Sequence, residues 1–437
     1  MNTQHLKRKI LDLAFRGKLV PQDANDEPTS LLLKRIQEER QQLAAQGKIK
    51  LKKKKNSKKE QAQPYDIPNG WEWVTLDDVI IVIGGQNQKD VADENGEYPI
   101  YGSGGIMGYA NDYLCPENCT IIGRKGTINN PIFVTTKFWN VDTAFGLCPD
   151  NNISALFLFY FCNWFDFTSI ERSTTLPSLT KTNIEKVNFP LPPFTEQLRI
   201  VETVEKCYAL IDDIDANKKD LQDCIKHTKR KILDLAINGK LVEQDTKEEP
   251  AINLLKRINK NFKLNDTIQD LPNGWCPCTF KDIFEITMGS SPKGNTLNND
   301  KDGVEFHQGK TFFTNKYLNE SDTYTKEPTK LAKTNSVLLC VRAPVGIVNI
   351  TEREICIGRG LSALYPKPGI DMLFAYYALQ TYQPHFENIA CGTTFNAIGR
   401  DDIKNEKFLL PPEQEQVRIR KKIEEAFELL DATTAEL

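Results

Sequence analysis

Side chains able to bond to base edges and phosphates crowd two glycine-rich stretches of this chain, GGQNQKDVADENGEYPIYGSGGIMGYANDYL from Gly84 and GSSPKGNTLNNDKDGVEFHQGKTFFTNKYLN from Gly289. Asn, Gln, Arg, Lys, Ser and Thr carry the donors and acceptors that distinguish base pairs, and glycine lets a backbone come close to phosphate. Taken singly, each of these residues is as well suited to an ordinary surface loop. Beyond the loops each half returns to a threonine pair, Thr174–Thr175 in STTLPSLTKTNIEKVNFPLPP and Thr393–Thr394 in GTTFNAIGRDDIKNEKFLLPP. Lys181 in the first segment lies close to the position of Arg400 in the second. Contact with a nucleic-acid backbone and groove is one reading of these residues; a turn or helix N-cap is the other.

Catalytic constellations are missing. A base-modifying methyltransferase needs a glycine-rich cofactor turn and an Asn-Pro-Pro-aromatic or similar loop to hold the flipped base. LPPF, Leu191 to Phe194, puts leucine where the amino-bonding Asn or Asp would stand, and its counterpart reads LPPE, so both read as helix starts. GSGG, Gly102 to Gly105, does not complete G-x-G-x-x-G, because Met107 takes the last glycine position. There is no P-loop and no E-x-K nuclease triplet, and the D-x-K triplets at Asp245 and Asp402 lie in spacer or hinge stretches without a nearby partner. His5 and His227 are equivalent positions of a repeat, whereas His307 and His385 have no carboxylate or cysteine at a fixed ligand spacing. Cys115 and Cys119 are two ligands, short of a metal site. The expectation is a chain that is not an enzyme and holds no metal or cofactor of its own.

Eleven cysteines at irregular spacings, with no C-x-x-C, suggest no disulfide framework and suit a reducing cytoplasm. The longest apolar run, Ala155 to Cys162, is far short of the ~18 residues a membrane helix needs. The N-terminus has no signal-peptide core, so a soluble protein with no membrane partner is expected. A net charge of −3 conceals local asymmetry, for eight of the twelve residues from Lys48 to Lys59 are lysine. Such a block stays solvated, either as a solubilising loop or as a phosphate contact needing no fixed geometry.

The loops hang on a framework that the chain writes twice. HLKRKILDLAFRGKLVPQDANDEPTSLLLKRI, His5 to Ile36, returns as HTKRKILDLAINGKLVEQDTKEEPAINLLKRI, His227 to Ile258, with 22 of 32 positions identical. IPNGW ending at Trp71 recurs as LPNGW ending at Trp275, and LPPFTEQLRI from Leu191 as LPPEQEQVRI from Leu410. The offset falls from 222 to 204 because the Lys-rich stretch has no counterpart. Leu437 aligns with Lys218 and Met1 with Asp223, so the two ends together reproduce the central segment less residues 219 to 222. This circular permutation predicts termini lying close together along one interrupted helix, opposite an unbroken one.

The central segment has a heptad seam through Ile200, Val204, Cys207, Ile211, Ile214, Lys218, Leu221, Ile225, Thr228, Ile232 and Leu235. The split copy keeps it through Ile419, Ile423, Ala426 and Leu430, then Leu6, Ile10 and Leu13. Helices of ~45 residues would span roughly 65 Å, the reach of a spacer. Pro192 and Pro193, and Pro411 and Pro412, stand where these helices begin; Gly17 and Gly239 suit their C-terminal caps. Between the repeats lie two mixed α and β modules on one scaffold. GLCPDNNISALFLFY from Gly146 matches ALYPKPGIDMLFAYY from Ala363, each a strand leading through an N-cap, Ser154 or Asp371, into an apolar helix. TIIGRKGTINNPIFV and VLLCVRAPVGIVNI both read as hairpins around an arginine, Arg124 or Arg342. One scaffold with unlike loops implies two different ligands.

With these repeats and the LPP-x-x-EQ hinges in place, the sequence resembles the specificity subunit of type I restriction-modification systems over essentially its whole length. The expected fold is α+β: two mixed α/β target-recognition domains separated by two long antiparallel coiled-coil spacer helices, with a pseudo-twofold, circularly permuted repeat. The expected segments are 1–64, a repeat helix with the Lys-rich insertion; 65–190, the first recognition domain; 191–270, the central spacer; 271–409, the second recognition domain; and 410–437, the C-terminal spacer. The resemblance implies that each domain reads one half of an asymmetric, split site on double-stranded DNA while the helices fix the gap. It further implies two methyltransferase subunits on the helical framework, binding S-adenosylmethionine, and ATP-driven restriction subunits. Carried over by position, the hinges fall on Glu196, Gln197, Glu415 and Gln416. The reading loops fall around Ser103, Arg124 and Lys125, and around Gln308, Lys310, Arg342 and Arg359. The Lys-rich insertion departs from the framework. Retention of partner subunits without sequence-selective DNA binding would instead indicate a protein-binding scaffold or restriction inhibitor, and S-adenosylmethionine binding by the purified chain a free-standing modifying enzyme.

Overall fold

The computed structural model describes residues 2–47, 64–170, 178–264, 271–390 and 397–435 and divides into two compact units, Met1–Asn217 and Lys218–Leu437. The Lys-rich stretch and the pairs Thr174–Thr175 and Thr393–Thr394 lie outside the described residues. No helix of the described residues is long and apolar enough to cross a membrane.

Unit 1 opens on α1 (Thr3–Phe15), whose first turn is capped by the Asn2 side chain accepting from the His5 amide. Gly17 closes it at φ +64°, the left-handed turn that glycine makes without strain. Next come α2 (Thr29–Ala45), β1 (Glu72–Thr75), the single turn α3 (Leu76–Val79) and β2 (Ile80–Gly84). Then β3 (Tyr98–Gly102) and β4 (Gly105–Ala110) make a hairpin, before β5 (Cys119–Gly123), β6 (Ile132–Val134), β7 (Trp139–Asn140) and β8 (Ala144–Pro149). The apolar run becomes α4 (Ala155–Trp164), with the Ser154 side chain accepting from the Phe157 amide. α5 (Lys181–Glu185), β9 (Asn188–Leu191) and α6 (Phe194–Ile237) complete the series, and the unit boundary falls inside α6.

The strands form an antiparallel sheet in the order β2-β8-β5-β6, a smaller sheet β4-β3-β7 in which β3 and β7 are parallel, and the ribbon β1-β9. The core lies between α4 and the larger sheet. Phe157, Leu158 and Phe161 meet Ile122, Phe145 and Leu147, with Phe15 from α1 and Ile200 and Val204 from α6 in the same cluster. One sequence expectation is corrected here: Cys119 and Cys148, facing each other across β5 and β8, form a disulfide. Cross-strand pairing brings together two cysteines 29 residues apart, a relation that linear spacing does not display.

Unit 2 repeats the plan with α7 (Ala251–Ile258), β10 (Cys276–Thr279), α8 (Phe280–Ile283) and β11 (Phe284–Met288). Five short strands come next, the first two inside the glycine-rich stretch from Gly289: β12 (Leu297–Asn298), β13 (Val304–His307), β14 (Tyr324–Thr325), β15 (Leu331–Ala332) and β16 (Ser336–Cys340). Then come β17 (Val348–Thr351), β18 (Ile355–Ile357), β19 (Leu361–Pro366), α9 (Met372–Gln380), α10 (Gln383–Ile389), α11 (Arg400–Lys404), β20 (Lys407–Leu410) and α12 (Glu413–Ala435). The sheet β11-β19-β16-β17 matches the larger sheet of unit 1 strand for strand, and β10-β20 matches its ribbon. The second sheet is larger, β12-β14-β13-β18-β15, again with a parallel pair, β13 and β18, at its centre. The extra residues of this module thus build strands around an arrangement both modules share.

In each unit a terminal helix runs antiparallel to half of α6. Lys7 of α1 pairs with Asp212 while Gln22, after the helix, reaches back to Glu196. In unit 2 Lys229 pairs with Asp431 of α12, and Arg418 pairs with Glu248 beyond the end of α6. The two lysines also lie over matched rings, Tyr208 and Phe427. The heptad seam is buried at Ile200, Val204, Ile211 and Ile225, but Ile214 and Leu221 stay exposed. In unit 1 the reason is that α1 starts at Thr3, about one turn past the Lys7–Asp212 contact, so the partner helix ends near Ile214.

Candidate nucleic-acid interface

The hinge motifs are internal clasps. Glu196, Gln197, Glu415 and Gln416 are all buried. Gln197 accepts from the Ser154 amide at 2.9 Å and donates to the Pro192 carbonyl at 3.1 Å; Gln416 makes the same pair of bonds, to Asp371 and Pro411, at the same distances. The start of the spacer helix is therefore fastened to the start of the apolar helix in each module. Glu196 accepts from the Trp71 indole at 3.0 Å and from Gln22 at 3.1 Å, which explains why the tryptophan of PNGW and the glutamate of the hinge recur together. Burial pushes the Glu196 carboxyl above its ordinary range, against the opposing pull of Gln22, Trp71 and the Arg199 charge. Glu415 faces Trp275 and Gln244 without closing either contact to hydrogen-bond geometry, and burial again pushes its carboxyl up.

In unit 1 the reading-loop residues gather where three loops cross. Gly102 and Ser103 turn β3 into β4, and the Ser103 Cβ sits 3.1 Å from where a Cβ on Gly123 would lie. Arg124 and Lys125 follow Gly123 at the end of β5 and are exposed. The Arg124 amide donates to the Thr143 carbonyl at 2.7 Å and its guanidinium to the Asp142 carbonyl at 3.4 Å, while Lys125 bridges to Ser178. Gly85 and Gly123 are required by close approach, since a Cβ on either would lie about 2 Å from a facing carbonyl. The structure thus brings Ser103, Arg124 and Lys125 together. Lys181 opens α5 and stays half exposed, while its ammonium donates to the Val82 carbonyl at 2.6 Å and faces Glu185.

Unit 2 has the same crossing. The Gln308 side chain accepts from the Ser291 hydroxyl at 2.7 Å, and that hydroxyl also accepts from the Arg359 amide at 3.3 Å. The Gln308 carbonyl accepts from Gly360 at 3.2 Å, and the Gly360 carbonyl accepts from Val341, next to Arg342, at 2.9 Å. Lys310 begins a short 3-10 turn, Lys310–Phe312. Gln308, Lys310, Arg342 and Arg359 are all exposed on this continuous set of loops. A Cβ on Gly358 would meet Gln308 Oε1 at 2.4 Å, so the glycine is what lets the loops touch. Arg400 opens α11 on the surface, the place Lys181 holds at the start of α5, and Arg342 bridges to Ala397 shortly before it.

The type I restriction modification DNA specificity domain matches residues 68–222 and again 272–437, most of the chain and both of its modules. The chain belongs to that family. It is 30% identical over 289 residues to a putative type I restriction enzyme MjaX specificity subunit of Methanocaldococcus jannaschii, covering 64% of this chain. It is 29% identical over 383 residues to the type I restriction enzyme EcoEI specificity subunit of Escherichia coli, covering 66% of this chain. The match spans 63% of the length of each of these two relatives. In fold it is similar to the HsdS subunit from Thermoanaerobacter tengcongensis, with TM-score 0.53 and 23% identity over 84% of this chain and 92% of that one. A chain from a study of complex assembly and conformational transition in the type I R-M system gives TM-score 0.60 at 23% identity, covering 85% and 94%.

Among family features, the sequence missed two parts of this surface. Ile106, Met107 and Tyr109 of β4 are large, apolar and exposed beside Ser103. Their signal is legible, for large apolar side chains set among glycines in a polar loop, Ile106 and Met107 between Gly105 and Gly108 and Tyr109 after it, have no core to enter. Ser291 has none, because its link to Gln308 and Arg359 exists only through the crossing of distant loops.

Proposed function

We propose that this chain is the DNA-reading, non-catalytic specificity subunit of a type I restriction-modification complex. Each module reads one half of a bipartite, asymmetric double-stranded site through its loop crossing: Ser103, Arg124 and Lys125 in one, Gln308, Lys310, Arg342 and Arg359 in the other, with Arg400 beside the second. The paired helices set the gap and carry two methyltransferase subunits, to which restriction subunits add, in the cytoplasm. Thr174, Thr175, Thr393 and Thr394 are assigned to groove and backbone contact, and Lys181 to support of β2, since its ammonium is engaged there. The observation that carries this reading is one framework occurring twice, with unlike polar side chains delivered to the same place on it. Shared architecture with different exposed donors fits two readers of different base sequences.

The test is co-expression with the cognate methyltransferase subunit and mapping of adenine methylation across the host genome. A split motif is expected, and exchanging the loop between Gly84 and Leu114 should change one half of it. A stable complex that produces no new motif would mean that the chain scaffolds without specifying.

A further inference from the structure

β13 ends in a buried charged cluster directly beneath the reading loop of unit 2. Glu305 and His307 are two residues apart on one strand and share a face. His307 is 1% exposed and Glu305 7%. Glu305 Oε1 meets His307 Nε2 at 2.6 Å, the Ser321 amide at 2.8 Å and an Arg353 terminal nitrogen at 2.7 Å, while Oε2 takes Arg353 Nε at 2.6 Å. The other Arg353 nitrogen donates to the Leu318 carbonyl at 3.1 Å. One carboxylate thus joins β13, the segment around Ser321 and the turn between β17 and β18.

The cluster touches both sides of Gln308–Lys310. The His307 carbonyl accepts from Gly358, the residue whose lack of a side chain makes room for Gln308. The His307 ring stands edge-on to Phe312 at 5.5 Å, on the far side of Lys310. Burial lowers the tendency of His307 to protonate, and a neutral ring facing a carboxylate through Nε2 carries its proton there. Nδ1 is then a bare acceptor, buried without a hydrogen-bond partner among the described residues. Leaving such an atom unsatisfied costs stability, and a buried ion pair is a weak source of it. The equivalent strand of unit 1 does without either: β3 pairs parallel with β7 as β13 does with β18, and its residues in the places of Glu305 and His307 are Pro99 and Tyr101. A polar cluster that leaves His307 Nδ1 unsatisfied, present in one module beneath its reading loop, is better explained by the geometry it fixes than by the fold.

We propose that Glu305, His307 and Arg353 are positioning residues for the second half-site: they hold the Gln308–Lys310 loop in the conformation that reads bases, without touching DNA. This rests on the reading of the chain as a DNA-specificity subunit. The test is the methylation map of the full complex with the unaltered chain and with Glu305→Gln, His307→Asn and Arg353→Lys, each purified complex also melted. The expected result is an intact first half of the motif and a second half whose discrimination is relaxed about tenfold or more at one position or several, on the order of losing one good base contact. Arg353→Lys, keeping the charge, should relax it least. Unchanged discrimination in folded variants overturns the proposal and leaves the DNA-reading function standing. Uniform loss across both halves, tracking a lowered melting temperature, overturns it in favour of a structural role. If the unaltered chain yields no split motif, the underlying reading fails and the proposal with it.

Discussion

Two buried glutamates, both close to a strand end or helix start, have opposite electrostatics. Glu305 is held from the usual carboxylate range down to about 2: burial pushes it up, but the bonds from Arg353, His307 and the Ser321 amide outweigh that. Its folded value lies below its unfolded one, so its stabilisation is present above the unfolded value and lost as pH falls through about 2. Glu415 is the reverse case. Burial raises its carboxyl, with Trp275 and Gln244 only partly offsetting it. A raised folded value means that its contribution is full below the unfolded value and lost as pH rises through the folded one. Ionised Glu415 is therefore a liability at neutral pH. Glu415→Gln should raise the thermal midpoint at pH 8, by something on the order of the 2–4 °C that 1 kcal/mol moves a unit of this size. The gain should shrink by pH 5, where the native carboxyl is itself increasingly protonated. A gain independent of pH would show that charge at this site is not the cause. Which of the two glutamates would be raised and which lowered was not written in the sequence, because it depends on partners 48 residues from Glu305 and 140 from Glu415.

At the level of elements, the junction between spacer helix and module depends on the start of α4, where Ser154 supplies the cap and Gln197 holds the Ser154 amide. Ser154→Ala should cost about 1 kcal/mol, the usual worth of an N-cap. Gln197→Ala should cost more, roughly 1–3 kcal/mol, because it strands the buried Pro192 carbonyl as well as that amide. Urea unfolding of the two variants measures the order, and an equal or smaller loss for Gln197→Ala would refute the clasp. The cap itself was legible from a small polar residue before an apolar run, as were the hairpins around Arg124 and Arg342 and the proline starts of α6 and α12. These are local signals, each settled within a few residues. The parallel pairs β3-β7 and β13-β18 were not legible: each joins short strands about 40 or more residues apart, and their alternation says nothing about partner or direction. The loop crossings that gather Gln308, Arg359 and Arg342 follow from those pairings, so the composition of the reading surface could be seen in advance but its assembly could not. The seam of α6 was legible as a period, whereas the exposure of Ile214 depended on where a partner helix stops.

For the whole chain, the feature that most constrains function is that α6 passes through the boundary at Asn217 without a break. Residues added there extend one helix by 1.5 Å each, and a multiple of seven keeps the seam in phase. Seven residues inserted after Asn217 add about 10 Å, roughly three base-pair steps of duplex at 3.4 Å each. The two loop crossings lie outside this helix and are built by separate cores, so they should be untouched. The expected outcome, read as a methylation map of the assembled complex, is a motif with both halves unchanged and a longer gap between them. An insertion of four residues tests phase against length: it is shorter but displaces the seam once, by about half a residue, and a coiled coil tolerates that only by local unwinding. If both insertions lengthen the gap in proportion to their size, the helix acts as a ruler. If the seven-residue insertion leaves the gap unchanged, the spacing is fixed elsewhere, and the role assigned here to α6 is wrong while the two reading modules remain.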